Sequence, residues 1–471
     1  MGLEGWSGMR RLGKNNSSKQ IKGNDMSQEK HQQQELSMVK EALRIGPQSD
    51  RRRFFVSAAA MGAATAAAPL IAKAQAAAPA AARKAILKDD ARLLNIGATV
   101  RSGNYWNFTT FMTPVEEFYV RNHYPTPLAE QKPVLLPQNW KLKVHGNGID
   151  KPIEIGYEQL LKMPSKTIVA TMECHGNGRS LFWEQQGHDK VAGGNWVLGA
   201  IGQAEWQYVP MSHIFALVGL KPNAKSALFW SGVDGNDMGR PMPISEITSR
   251  PDDIGICFNM NGNPLTADHG GPVRLVVPGW GGTASIKWLT EIKIDTHQHW
   301  VRLNTKGEVY IGPDYKAPEV LPNDEFIGVT KADVQGPMVA WMPIKSFITV
   351  PLVLEKSPSI PANYPLKRGE LPKVNAGKQM LNGYAWAPQH GIWYVEYRID
   401  GGMWRRATLR QPNLGRYTWV RFEFPWEATP GIHMVETRGT DTRGESQPAA
   451  VPFNQLGMAN GAIPKFKIQV V

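Results

Sequence analysis

The sequence predicts an α+β fold, with a mixed domain over residues 90–330 followed by an immunoglobulin-like β-sandwich over residues 334–471. Three observations carry this reading. The 471 residues include 46 glycines and 35 prolines, which suits a loop-rich, strand-rich protein rather than a helical bundle, and the length is ample for two or three cores. Before residue 330 the apolar runs are short and separated by Gly, Pro and Asn clusters. From about Val334 they alternate apolar with polar, the period of half-buried strands.

Taken in order, residues 134–144 and 153–155 read as strands, 157–162 as the start of a short helix and 209–218 as a buried helix. Further strands are expected at 226–231, 254–258, 273–278 and 286–294. In the second domain, 393–399 alternates cleanly and runs into Asp400-Gly401-Gly402, a hairpin turn. Residues 417–424, 433–438 and 466–471 extend the series at sandwich spacing. The sequence shows no internal repeat.

The first 50 residues are polar, rich in Gln, Lys, Ser and Asn and without hydrophobic period, the composition of a disordered segment. Arg51-Arg52-Arg53 then precedes a weakly apolar Ala/Gly run to Ile71, and small residues alternate through Ala72-Lys73-Ala74-Gln75-Ala76. Residues 1–76 therefore read as a leader with a twin-arginine export signal, cleaved near Ala76, that sends the folded protein to the periplasm. The run of about 18 residues is long enough to cross a bilayer, but alanine and glycine partition poorly into hydrocarbon. The leader holds 12 Lys and Arg against six Asp and Glu, so cleavage lowers the net charge from +12 to about +6. A modest basic excess suits anionic ligands and an acidic partner. The absence of a dense basic stripe interleaved with aromatics argues against nucleic-acid binding. There are two cysteines, Cys174 and Cys257, and in an oxidising compartment a disulfide is the simplest reading of such a pair. Against it, Cys257 lies in Ile254-Gly255-Ile256-Cys257-Phe258, an apolar run that reads as a buried strand in which the thiol is packing. No Cys-x-x-Cys-His occurs, so the chain attaches no c-type haem itself.

The stretch Thr171-Met172-Glu173-Cys174-His175-Gly176-Asn177-Gly178-Arg179 sets a lone cysteine beside glycines and an arginine. A thiolate is a soft ligand for a redox-active metal. Glycines admit close backbone approach, and an arginine offers a planar fork to an oxyanion. Alone the motif is weak, since most isolated cysteines are small buried apolar residues. It has companions at a distance: Phe118-Tyr119-Val120-Arg121-Asn122-His123, then Asp268-His269-Gly270-Gly271-Pro272-Val273-Arg274, then Lys287-Trp288. In that order, from about Ala91 to the C-terminus, the chain resembles the sulfite oxidase family of molybdenum enzymes.

The resemblance implies molybdenum chelated by a molybdopterin dithiolene, with Cys174 completing the thiolate set. It makes Arg121 the arginine beside the metal that holds an anionic sulfur substrate, and it places Arg179 and Trp196 in the substrate pocket. His123, Asp234, His269, Arg274 and Lys287 become contacts to the pterin and its phosphate. Without the resemblance these side chains have plainer readings: surface arginine, satisfied core histidine, core tryptophan, exposed strand lysine. The sandwich becomes a dimerisation domain. Two departures stand out. The family tyrosine that follows a His-Trp pair falls here on Thr305, with Tyr310 nearby. The second-domain arginine is missing from Phe453-Asn454-Gln455-Leu456-Gly457.

The implied function is a periplasmic molybdenum-dependent dehydrogenase that oxidises a sulfur substrate, carrier-bound sulfane sulfur or sulfite, by oxo transfer. Its implied partners are a c-type cytochrome as electron acceptor and a sulfur-carrier protein, in a homodimer or a heterotetramer with the cytochrome. Two other readings compete. One is a periplasmic molybdenum reductase of sulfoxide or another oxyanion, and the other a non-catalytic binding module that has lost the metal.

Overall fold

Strands dominate the computed structural model, which describes residues 85–88, 90–231 and 238–471. The leader with its export motif and Asp234 lie outside the described residues. The chain divides into two units, Met1–Ala80 and Ala81–Val471, and every described residue belongs to the second.

Two five-stranded sheets build the first half. One orders Asn263–Pro264, Gly255–Met260, Ile201–Pro210 and Lys166–Glu173, with Arg274–Val276 also pairing Gly255–Met260. The other orders Ile153–Gly156, Lys141–His145, Leu289–Asp295, Ser226–Ser231 and Gly239–Pro243. Alternation along the strands sorts their side chains between two cores. Val209 and Ile256 join Leu142, Phe229, Ile292 and the helix Met211–Val218 in one core. Tyr208, Cys257, Ala170 and Met172 point the other way, into a core that also holds Phe118, Tyr119, Trp206 and Cys174. The site lies on this second face.

The C-terminal region forms two more sheets. One runs Lys345–Ile348, Gly377–Trp386, Val420–Ala428, Thr408–Arg410; the other runs Lys373–Val374, Lys465–Val470, Gly431–Asp441, Ile392–Ile399, Arg405–Arg406. Their shared core extends to Leu94, Tyr105, Phe111, Leu181 and Val197 of the first half. The hairpin at Asp400-Gly401 has positive φ at both residues, 51° and 70°, as such a turn requires.

Most expected elements are present, with shifted ends. The strand expected over 134–144 exists only as Lys141–His145, because Pro133 opens a 3₁₀ turn, Pro133–Leu135, where its fixed φ fits and its missing N–H is not needed. The helix expected from 209 begins at Met211, since Val209 and Pro210 close the strand Ile201–Pro210. Val420–Ala428 continues beyond the expected end at 424, through Pro425. Its neighbour Thr408–Arg410 pairs only from Arg421 to Glu423, so Pro425 stands where one side of the strand has no partner.

Candidate active site

The strand Lys166–Glu173 delivers Cys174 at its C-terminal end, where the Cys174 amide donates to Ala200 O at 2.9 Å. The chain then turns tightly: Asn177 N donates to Cys174 O at 2.9 Å and Arg179 N to Gly176 O at 3.0 Å. Asn177 braces the turn by donating to Glu173 Oε1 at 2.9 Å and accepting from Ala200 N at 3.0 Å. Cys174 is 7% exposed and unpaired with Cys257, and it lines a cleft. Burial raises its thiol pKa, as does the Glu308 carboxylate, while Arg121, the Gly176 amide and Arg179 pull the other way. Metal binding displaces that proton, because the ligand is the thiolate. Cys257 is inert packing by contrast: burial pushes its thiol up to about 12.

Arg121, from the two-residue strand Val120–Arg121, lines the same cleft with Asn122 and His123. His269, Arg274 and Lys287 line it too. Trp288, at φ 53°, costs backbone energy of order 1–3 kcal/mol. It is held by Trp288 N to Gly270 O at 3.1 Å and its indole N–H to Ala267 O at 3.0 Å. Lys287 Nζ donates to Asn122 Oδ1 at 2.7 Å and Asp268 O at 2.5 Å, tying the two walls together. Arg274 is a brace: its guanidinium donates to the carbonyls of His269 at 3.0 Å and Ser285 at 2.7 Å.

This wall carries an excess of positive charge. Burial pushes the Lys287 ammonium well below its usual range, and Arg274, Lys88 and Arg121 add to the effect against Asp268 alone. Burial also lowers Lys88, to about 7, and lowers His269 well below its usual value, with Lys88, Lys287 and Arg274 contributing. His269 Nε2 is buried without a hydrogen-bond partner. Crowded buried cations and an orphaned ring nitrogen are what a phosphate-bearing heterocycle would satisfy, so these residues fit a pterin phosphate.

Arg179 and Trp196 lie behind the cleft wall rather than on it. Arg179 is buried, donating from Nε to Gly457 O at 3.3 Å and from Nη2 to Met458 Sδ at 3.4 Å. A side chain at Gly193, where φ is +105°, would collide with this guanidinium. The stretch lacking the family's second-domain arginine, with Met458 after it, therefore reaches Arg179 and offers it carbonyl and thioether acceptors. Trp196 packs edge-on against Tyr119, 6.2 Å between ring centres. Thr305 is buried with its hydroxyl donating to Val301 O at 2.9 Å, and Tyr310 stacks on Tyr315 at 4.9 Å. Neither lines the cleft.

Tyr119 does line it, and sequence reasoning missed it although it stands two residues before Arg121. Burial raises its phenol well above the usual range, and Cys174 is the largest charged contributor to that shift. Also missed is His175, whose Nδ1 meets Glu308 Oε2 at 2.8 Å and whose Nε2 faces Ala340 O at 3.3 Å. Burial opposes the Glu308 carboxylate, yet His175, Arg240 and Arg121 hold it down at about 2. His175 was visible beside Cys174 in the sequence, whereas nothing near Glu308 marked it.

A buried thiol at a strand end, beside a cationic cleft, suits a protein that holds a thiolate-ligated metal and a phosphate-bearing cofactor. Residues 123–301 match the family model described as the oxidoreductase molybdopterin binding domain. The chain is 28% identical to mitochondrial sulfite oxidase of Drosophila melanogaster over 70% of its length and 52% of that protein's. It is 26% identical to the mouse (Mus musculus) enzyme over 77% and 62%, and 30% identical to an inducible NADH nitrate reductase of Glycine max over 76% and 39%. The matches thus span about two fifths to three fifths of those relatives. Among solved structures, the sulfane dehydrogenase SoxCD of Paracoccus pantotrophus shares the fold, with a TM-score of 0.62 at 24% identity over 79% of this chain and 84% of that one. Residues 123–301 are thus an oxidoreductase molybdopterin binding domain, the chain resembles the sulfite oxidases, and its cofactor is molybdenum held by molybdopterin.

Proposed function

We propose that this protein is the molybdenum component of a sulfur-oxidising dehydrogenase that acts in the periplasm and passes electrons to a c-type cytochrome. The observation that carries the reading is that Cys174 and Arg121 line one cleft together with His269, Arg274 and Lys287. Cys174 ligates the metal, and His123, His269, Arg274 and Lys287 hold the pterin and its phosphate. When bound, the molybdenum centre supplies two-electron oxygen-atom transfer. Arg121 grips the oxygens of an anionic sulfur group, a task for a planar and always charged guanidinium. Tyr119 offers a phenol O–H beside it, and its raised pKa keeps that proton in place as a donor. Arg179 and Trp196 support this wall from behind, Arg179 through its charge and Trp196 through the Tyr119 ring. With no second-domain arginine in reach, free sulfite has fewer charged partners, each worth roughly 1.5–3 kcal/mol. This favours sulfane sulfur tethered to a carrier protein.

The C-terminal sandwich exposes Trp393 and Ile432, 61% and 65% accessible, which supports its use in a homodimer or with the cytochrome. The test is turnover by purified holoenzyme on sulfite and on carrier-bound sulfane sulfur, with cytochrome c as acceptor. Faster oxidation of the tethered sulfur supports the proposal. Activity confined to free sulfite at low micromolar KM rejects the carrier. The nitrate reductase relative favours a second reading, oxyanion reduction, which nitrate-dependent oxidation of a reduced dye would reveal. For export, Arg51→Lys with Arg52→Lys is expected to leave active protein in the cytoplasm, and cell fractionation checks it.

A further inference from the structure

Away from the cleft, four side chains converge where the strand Leu289–Asp295 ends. Asp295 ends its strand, the chain bends at Thr296 and His297, and the parallel pairing of His299–Trp300 with Glu325–Phe326 sets Glu325 opposite His299. One ligand atom from each of the four lies within 4.8 Å of all the others.

Four separations define the group. His299 Nε2 is 2.9 Å from Asp295 Oδ2 and 3.5 Å from Glu325 Oε2; His297 Nε2 is 3.7 Å from Asp295 Oδ2 and 3.3 Å from Glu325 Oε2. A tetrahedral zinc ion with bonds of about 2.0–2.1 Å needs ligand atoms about 3.3 Å apart. The observed edges straddle that value.

The atoms turned away from the centre are also held. His299 Nδ1 meets Ser226 Oγ at 3.1 Å, fixing the ring with Nε2 inward. Asp295 Oδ1 accepts from Asn147 N at 2.6 Å, leaving Oδ2 inward. Glu325 Oε1 accepts from Lys293 Nζ at 2.7 Å. Such outer partners aim the ligands of metal sites.

We infer that Asp295, His297, His299 and Glu325 form a structural site for a divalent cation of zinc type, separate from the molybdenum site. Two carboxylates and two neutral imidazoles balance a dication and close a four-coordinate shell. Lys293 Nζ borders the centre, 2.6 Å from Glu325 Oε2 and 3.5 Å from Asp295 Oδ2. On metal entry its ammonium shifts onto Glu325 Oε1. The ion staples the end of Leu289–Asp295 to the segment at Glu325.

The test uses full-length, molybdenum-loaded protein carrying no polyhistidine tag. After treatment with a chelator it is titrated with zinc chloride or cobalt chloride. Expected are one zinc per chain by mass spectrometry, the intense visible absorption of tetrahedral cobalt, and a higher urea midpoint with zinc. His297→Ala and Glu325→Gln should each weaken zinc binding at least tenfold, while molybdenum content and turnover stay as in the parent. Lys293→Met should bind zinc at least as tightly as the parent. The inference is overturned if the parent takes up no more zinc than His297→Ala, if cobalt gives only a weak octahedral spectrum, or if Lys293→Met abolishes uptake. The first of these outcomes makes Lys293 the cation that the cluster was built for.

Discussion

At the scale of single residues, Cys174 and Tyr119 divide the chemistry. Cys174→Ser replaces a soft thiolate with a hard alkoxide. It should stay folded and lose more turnover than the roughly 10–100-fold typical of a lost supporting contact around a metal; molybdenum analysis beside a turnover assay measures this. Full activity in that variant would remove Cys174 from the metal. Tyr119→Phe keeps the stacked contact with Phe118 at 5.4 Å and the edge contact with Trp196, so packing survives and only the hydroxyl is lost. One hydrogen bond is worth about 0.5–1.5 kcal/mol, which predicts kcat lowered by up to about tenfold with molybdenum content unchanged. Unchanged steady-state kinetics would mean that the phenol takes no part.

At the scale of elements, the cysteine loop is clamped from the C-terminal sandwich. Lys345 Nζ, 3% exposed at the start of Lys345–Ile348, meets Glu173 Oε1 at 2.6 Å and Asn177 O at 2.8 Å. Trp386 Nε1, at the end of Gly377–Trp386, donates to Glu173 Oε2 at 2.8 Å. Glu173 immediately precedes Cys174, so two sandwich strands fix the residue beside the ligand. Removing one partner of a buried pair leaves the other charge unpaired, at about 3–5 kcal/mol. Glu173→Gln should therefore lower the urea midpoint sharply, and adding Lys345→Met should restore part of the loss. If the single variant unfolds like the parent, the clamp does not hold the loop.

At the scale of the whole molecule, the cationic cleft gives stability a pH dependence that the cofactor should erase. Lys88 titrates at about 7 in the folded protein, and Lys287 is also well below its usual range. In the unfolded chain lysine titrates near 10.4. Between about 7 and that value the unfolded chain binds more protons than the folded one, so stability rises with pH across the window. Cofactor-free protein should have a higher urea midpoint at pH 9 than at pH 7. An anion in the cleft raises both lysines and flattens the slope in loaded protein. Equal slopes in the two forms would place the phosphate elsewhere.

The sequence by itself determined the fold class and the strand series, and its family resemblance singled out Arg121, His123, Cys174, His269, Arg274 and Lys287, which line one cleft. Strand alternation and turn residues are local physics, and the Cys174, Arg121, His269 and Lys287 motifs each kept their own short-range pattern. Ser226–Ser231 was legible to the residue from its apolar run and the Pro222-Asn223 and Gly232 that flank it in sequence, whereas strand ends such as Lys141 were set by proline geometry and by where partners stop. The tertiary structure alone decided which tyrosine faces the cleft. It also placed Arg179 behind the wall against Gly457 and paired His175 with Glu308, 133 residues away. It gathered the His297 cluster too, through a strand pairing that brings up Glu325. Such choices depend on burial and long-range pairing, which make a charge or ring nitrogen costly unless its partner is already in place, and no local pattern encodes that partner.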